Sequence, residues 1–206
     1  MSIKDVIDST AKPVTPTRQT SKPSGTPRPA VSHHGASRDR ILAFLRITMG
    51  LVFLWAFLDK TFGLDYSTTS AQAWIRGGSP TQGFLAHVEV GPLQSAFRDW
   101  AGTGWANWLF MLTLLGLGIA LTLGIGLRVS AIAGVILLAL MWFAEFPIAR
   151  FDSTGAATSS TNPLIDYHFV FAVVLVTLAA CTAGDTWGFG RQWARLDLVR
   201  RNSWLR

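Results

Sequence analysis

Five ionisable side chains stand inside or at the edges of long apolar stretches of this chain: Asp59, Lys60, Glu145, Asp166 and His168. Polar groups in apolar surroundings are costly, which makes them the first candidates for chemistry. His168 has the one ring type that exchanges a proton near neutral pH, and Asp166 or Glu145 would serve as its charge partner. Those three form the candidate catalytic set. Lys60 and the neighbouring Arg150 are suited to holding an anion or a carbonyl oxygen. Asp59, Arg76 and Arg46 complete the candidate binding residues.

Each has a structural reading as well. Asp166 follows Asn162-Pro163 and suits a helix N-terminus, where an anion meets the macrodipole. Asp59 and Lys60 would reach to the interface from a helix end. Glu145 would pair with Arg150. Arg46 lies within an apolar stretch, where it would snorkel to headgroups or face inward toward Asp185.

The elements that must position these residues follow from composition. The chain has 206 residues, 50% of them hydrophobic and only 15% charged. Soluble domains carry about 25% charge. Four apolar stretches, about 41–60, 105–126, 129–148 and 164–183, each approach the ~20 residues needed to cross a hydrocarbon core. Helices satisfy their own backbone groups, as lipid requires. The expected fold is therefore all-α: a polytopic four-helix membrane bundle, residues 39–186. A long first stretch with Asp59, Lys60 and Asp65 before Ala71-Gln72-Ala73 argues against a cleaved signal peptide.

Two further segments flank the bundle. Residues 1–38 are rich in Pro, Ser and Thr and poor in large apolar residues, so they read as a disordered basic tail. His33-His34 falls there without further ligand types nearby. Residues 187–206 read as a basic C-terminal tail. Lys4, Lys12, Arg18, Lys22, Arg28, Arg38, Arg40 and Arg128, with five C-terminal arginines, would share one side of the membrane. They outnumber Lys60, Arg76, Arg98 and Arg150 on the other. The positive-inside rule then puts both termini in the cytoplasm.

The connections are unequal. Gly126-Leu127-Arg128 reads as a tight hairpin between antiparallel helices. The loop from about 61 to 104 carries Ser79-Pro80-Thr81-Gln82, a capping-box pattern, then Phe84, Leu85, Val88 and, after Gly91-Pro92, Leu93, Phe97 and Trp100. These spacings predict short interfacial helices over the extracytoplasmic end of the bundle. Gly116/Ala120 and Ala120/Gly124 offer a small-residue face for close helix packing. A lone cysteine, Cys181, excludes an internal dithiol relay and reads as a small core residue. There is no haem, flavin, nucleotide or metal-binding motif, and no nucleic-acid signature, since the basic residues sit in the tails.

The stretch Leu45-Arg46-Ile47-Thr48-Met49-Gly50-Leu51-Val52-Phe53-Leu54 followed by Asp59-Lys60 resembles the opening of the DoxX family of small four-helix membrane proteins. Residues 75–85 and Asn162-Pro163-Leu164-Ile165-Asp166-Tyr167-His168 resemble the first loop and last helix of its actinobacterial-type branch. The resemblance spans about 40–185. It implies kinship with the DoxD subunit of thiosulfate:quinone oxidoreductase, with quinone as the redox partner. Two functions follow as expectations. One is a quinone-linked oxidoreductase subunit using Arg46, Asp59, Lys60, Arg76, Glu145, Asp166 and His168. The other is a non-catalytic accessory or scaffold subunit of a larger membrane complex, in contact with other subunits or a second copy.

Overall fold

A computed structural model describes residues 33–158 and 160–206, with side chains from Gly35 on. These residues are mostly helical. They contain no β-strand, only an isolated bridge between Phe151 and Ala157. Three helices are long and apolar enough to cross a membrane: α1 (His33–Phe62), α4 (Gly104–Leu123) and α5 (Leu127–Glu145). Between α1 and α4 lie two short helices, α2 (Gln82–Leu85) and α3 (Gln94–Trp100). A fourth apolar helix, α6 (Tyr167–Ala180), follows, and then α7 (Gly190–Trp193) and α8 (Asp197–Arg201).

The fourth element is shorter than its apolar stretch. Its 14 residues give about 21 Å of helix, less than the ~30 Å of a hydrocarbon core. Asp166 sets its start: its carboxylate accepts the Phe169 N–H at 3.0 Å as an N-cap, while Asn162 Oδ1 takes the Leu164 and Ile165 amides and holds that segment out of the helix. At the other end Thr182 adopts a positive φ and stops it. Hydropathy extends past both stops because flanking residues are apolar without being helical.

Helix α1 departs from expectation in the opposite direction. It begins at His33, inside the segment read as tail, because the prolines end at Pro29 and nothing after them breaks the helix. The remainder of that segment, 1–32, lies outside the described residues. The C-terminal segment is also folded. Trp193 Nε1 donates to Leu205 O at 2.7 Å, Arg206 pairs with Asp185 at 3.0 Å, and Val199 is buried. It forms a cap beneath the bundle.

Helices α1, α4, α5 and α6 pack as a ring in chain order. Contact is most extensive within the α1/α4 and α5/α6 pairs and thinner between α4 and α5. The main core joins Met49 and Phe53 of α1, Met111, Leu114, Leu117 and Leu121 of α4, Leu138 of α5, and Leu175 and Leu178 of α6. The α4–α5 turn is Gly124-Ile125-Gly126, both glycines having positive φ. It lies two residues earlier than the hairpin placed from hydropathy, because the glycines and not the apolar run decide it. Close packing of α1 on α4 rests on Gly118 and Gly50. A Cβ on Gly118 would meet Leu54 Cα at 2.9 Å, and one on Gly50 would meet Thr122 N at 2.7 Å. Gly116, by contrast, faces open space. The small-residue helix was legible: of the residues expected at a close contact Gly124 is at one, where a Cβ would meet Gly184 Cα at 2.9 Å, while Gly116 is not.

The first loop is structured as its spacing predicts. Val88 and Phe97 are buried against Ala144, with Leu85, Leu93, Trp100 and Leu140 around them. This second small core sits α2 and α3 on the end of α5. Ser79 Oγ accepts the Gln82 N–H at 3.3 Å, but α2 starts only at Gln82, so this bond closes the turn before the helix and the expected capping box does not form. We call this end of the bundle the loop end and the opposite one the terminal end.

Candidate functional site at the loop end

Glu145 is the last residue of α5, and Asp166 to His168 open α6, so the tight α5/α6 pair brings them together. Tyr167 donates its hydroxyl to Glu145 Oε1 at 2.8 Å. His168 Nδ1 lies 2.8 Å from Asp166 Oδ2 and 3.8 Å from Glu145 Oε2. The first is a hydrogen bond; the second is longer than one. The Tyr167 ring lies against the imidazole, with centroids 3.9 Å apart. The His168 side chain is 0% exposed, Asp166 14% and Glu145 36%, so the set grades from enclosed to open. His168 Nε2 has no hydrogen-bond partner among the described residues.

The three residues expected to form the catalytic set are thus neighbours. Tyr167 joins them, and sequence reasoning passed over it because a tyrosine at a helix start is an ordinary interfacial anchor. The only signal was its place between Asp166 and His168. Glu145 does not depend on Arg150: its partner is Tyr167, from the facing helix. Glu145, Asp166 and His168 each also offer one ligand atom, all within 4.8 Å of one another. Metal-site spacing of this kind is invisible to motif search, because the ligands come from two helices. The Nδ1–Asp166 bond satisfies one ring nitrogen and leaves Nε2 buried without a partner among the described residues.

An apolar cleft of about 530 Å³ opens beside this set. It runs between α4 and α5, where their contact is thin. On α5 its lining extends from Glu145 down to Ala133, twelve residues or about 18 Å of helix. Trp100, Trp105 and Phe110 supply aromatic walls, and the polar groups at its mouth are Lys60, Glu145 and Tyr167. Lys60 therefore belongs with the site.

The other binding candidates do not gather here. Asp59 is 1% exposed, and its carboxylate accepts the Tyr66 and Ser67 amides and the Ser67 hydroxyl at 3.3, 3.1 and 2.6 Å. It ties the first loop to the end of α1. Arg76 is exposed and donates to Ser70 Oγ within its own loop. Arg46 lies thirteen residues before Asp59, about 20 Å away along α1. It neither snorkels nor pairs with Asp185. Its guanidinium is fully buried at the terminal end and donates to four carbonyls: Leu121 O at 2.5 Å, Thr122 O at 2.9 Å, Thr186 O at 3.3 Å and Trp187 O at 2.9 Å. The first two are carbonyls of the last turn of α4, and Leu121 O also accepts the Gly124 N–H at 3.2 Å. Cys181 is exposed and forms no part of the core, because α6 ends just before it.

A second polar anchor went unnoticed in the sequence. Asn107 Oδ1, buried in the first turn of α4, accepts from Ser79 Oγ, Thr81 N and Thr81 Oγ1 at 3.0, 3.1 and 2.7 Å. It fastens the floor of the first loop beside the cleft. In the loop before α6, the Thr154 hydroxyl and neighbouring amides bind Asp152 and hold its carboxyl below the usual carboxylate range.

Comparison with known families agrees with this architecture. The family model for DoxX matches residues 41–145, about half of the chain, from the start of the apolar part of α1 to Glu145. The chain belongs to the DoxX family. The match ends where α5 ends, so Asp166, Tyr167 and His168 lie beyond it. No curated protein and no solved structure matches this DoxX chain.

Proposed function

We propose that this DoxX protein is the quinone-binding subunit of a membrane oxidoreductase, passing electrons from a reduced sulfur compound to membrane quinone. The observation that carries the reading is the cleft: apolar and aromatic for about 18 Å along α5, save for Thr113 with its hydroxyl bonded to Leu109 O, and with the ionisable groups Lys60, Glu145 and Tyr167 at one end. A ligand that fits is long and apolar with one polar head, and it enters from lipid through the α4/α5 gap. A quinone has that form. Its carbonyl would accept from the Lys60 ammonium or the Tyr167 hydroxyl, and its isoprenoid tail would follow Leu109, Ile136 and Leu137. His168 and Asp166, behind Glu145, supply the acid–base groups that quinone reduction needs. The sulfur-compound donor comes from the family resemblance. With one cysteine and no haem or flavin motif in the sequence, electrons reach the quinone from the donor directly or through a partner subunit.

The same reading places the bundle in the plasma membrane with both termini cytoplasmic. The excess of arginine and lysine at the terminal end supports it. The competing role, an accessory or scaffold subunit, predicts that the purified chain always carries other subunits and that filling the cleft is harmless.

The decisive measurement is titration of a short-chain quinone into protein in detergent, following the fluorescence of Trp100 and Trp105, which line the cleft. Saturable quenching is expected, lost in Ala133→Phe and Leu137→Trp and weakened in Lys60→Met. Thiosulfate-dependent quinone reduction is then assayed in the same protein. Absence of saturable binding, or binding indifferent to all three substitutions, would refute the proposal.

A further inference from the structure

A second cleft of about 610 Å³ lies on the loop side of the same residues. Phe84, Glu145 and Tyr167 line both clefts. Lys60 lines only the apolar one, and Asp166 only the second. The second is the more polar of the two. Its walls carry Glu89, Glu145, Asp152, Asp166 and His87, with Thr158, Ser160, Thr161 and Asn162, and no lysine or arginine. His168 lines neither cleft, yet its Nδ1 stands between Asp166 Oδ2 at 2.8 Å and Glu145 Oε2 at 3.8 Å.

These groups make a chain from one cleft to the other: Tyr167 hydroxyl, Glu145, His168, Asp166. We infer that the second cleft is the aqueous proton mouth of the quinone site, and that protons enter through Asp166 and reach the quinone through His168, Glu145 and Tyr167. The inference rests on the quinone reading of the apolar cleft. Two-electron reduction of a quinone takes up two protons, one at each carbonyl oxygen. In each delivery the Tyr167 O–H bond breaks and a quinol O–H bond forms. Glu145 in its acid form returns a proton to the tyrosine oxygen, His168 Nδ1 returns one to Glu145, and Asp166 returns one to His168. Water in the second cleft reprotonates Asp166. The electrons come from the reduced sulfur donor or, in the test below, from an electrode.

Two features favour this role over a binding site for the donor. Four carboxylates with no lysine or arginine on the walls repel an oxyanion such as thiosulfate while they gather protons. The donor then meets the protein elsewhere. The one gap in the chain, 3.8 Å, falls at Glu145, the most exposed of the three acid–base groups on His168 and its partners. Rotation of that side chain closes the gap on His168, so Glu145 acts as the moving link. The charged groups facing the chain are Lys60 from α1, His87 and Glu89 from the first loop and Asp152 from the loop before α6.

Protein-film voltammetry of the full chain in nanodiscs, with a short-chain quinone bound, reads the rate of proton-coupled reduction without any natural donor. Asp166→Asn keeps an N-cap residue, so α6 is retained. It is expected to slow reduction on the order of 10²-fold at neutral pH while quinone affinity changes less than about twofold. Tyr167→Phe is expected to slow it similarly. Asp99→Asn, at an exposed residue of α3 that lines neither cleft, serves as the control with an unchanged rate. Normal rates in Asp166→Asn with quinone still bound would overturn the proton path and leave the quinone reading intact. Absence of any bound-quinone wave in the unsubstituted protein would overturn both.

Discussion

Replacement of Arg46 by methionine separates a structural role from a ligand-binding one. Methionine fills much of the same volume and suits a buried helix position, so the change removes the guanidinium with little loss of packing. What is lost are four hydrogen bonds from a charged donor, to Leu121, Thr122, Thr186 and Trp187 carbonyls. Each hydrogen bond contributes about 1 kcal/mol net. Four give about 4 kcal/mol, offset in part because burying the charge was itself costly. A net destabilisation of about 3 kcal/mol is expected, or roughly 6–12 °C in Tm for a chain of this size. Arg46→Lys keeps the charge but gathers its three N–H donors on one nitrogen, too compact to reach all four carbonyls, and is expected to fall about midway. Circular dichroism melting in mild detergent measures the shift, and the quinone titration is run on the same samples below the transition. The expected result is a lowered Tm with quinone affinity unchanged in the folded protein. A Tm within about 1 °C of the parent, or an unchanged Tm with quinone binding lost, would refute the argument that Arg46 acts by tying α1 to the end of α4 and to the segment that follows α6.

The helix-packing account makes a paired prediction. Gly118→Ala places a methyl group 2.9 Å from Leu54 Cα and is expected to cost about 1–3 kcal/mol, whereas Gly116→Ala meets nothing within 4 Å and is expected to stabilise by about 0.5–1 kcal/mol. Equal effects at the two positions in thermal melts would count against the α1/α4 geometry. Asn107→Ala leaves two hydroxyls and the Thr81 amide without their acceptor, so limited proteolysis is expected to cut the first loop faster, with a stability loss of about 1–3 kcal/mol. A loop as protected as in the parent would show that α2 and α3 are held by the Val88–Phe97–Ala144 core alone.

How much of this was legible in the sequence varied with the range of the interaction. The apolar helices, the hydrophobic spacing of Phe84, Leu85, Val88 and Phe97, and the cap at Asp166 are local patterns, set by neighbours within a few positions. Each can be read from the chain because hydrophobicity and backbone capping act over one or two turns. The same locality blurred the ends. Hydropathy counts Leu164 and Ile165 with α6, although Asn162 binds their amides and keeps them out of it.

The sequence by itself determined that the chain is a helical membrane protein, and it marked Glu145, Asp166 and His168 as polar residues out of place in apolar stretches. Only the tertiary structure decided what those groups do to one another. Glu145 meets Tyr167 across 22 positions, and Arg46 meets Trp187 across 141. In each case a polar atom that lipid or the protein interior cannot solvate finds its partner wherever packing brings one within 3 Å or so. That choice depends on which helix faces pair. The division of the loop end into an apolar cleft and a carboxylate-lined one has the same origin. Tight pairing of α5 with α6 and looser contact of α5 with α4 open the space on one side of Glu145 and close it around His168 on the other.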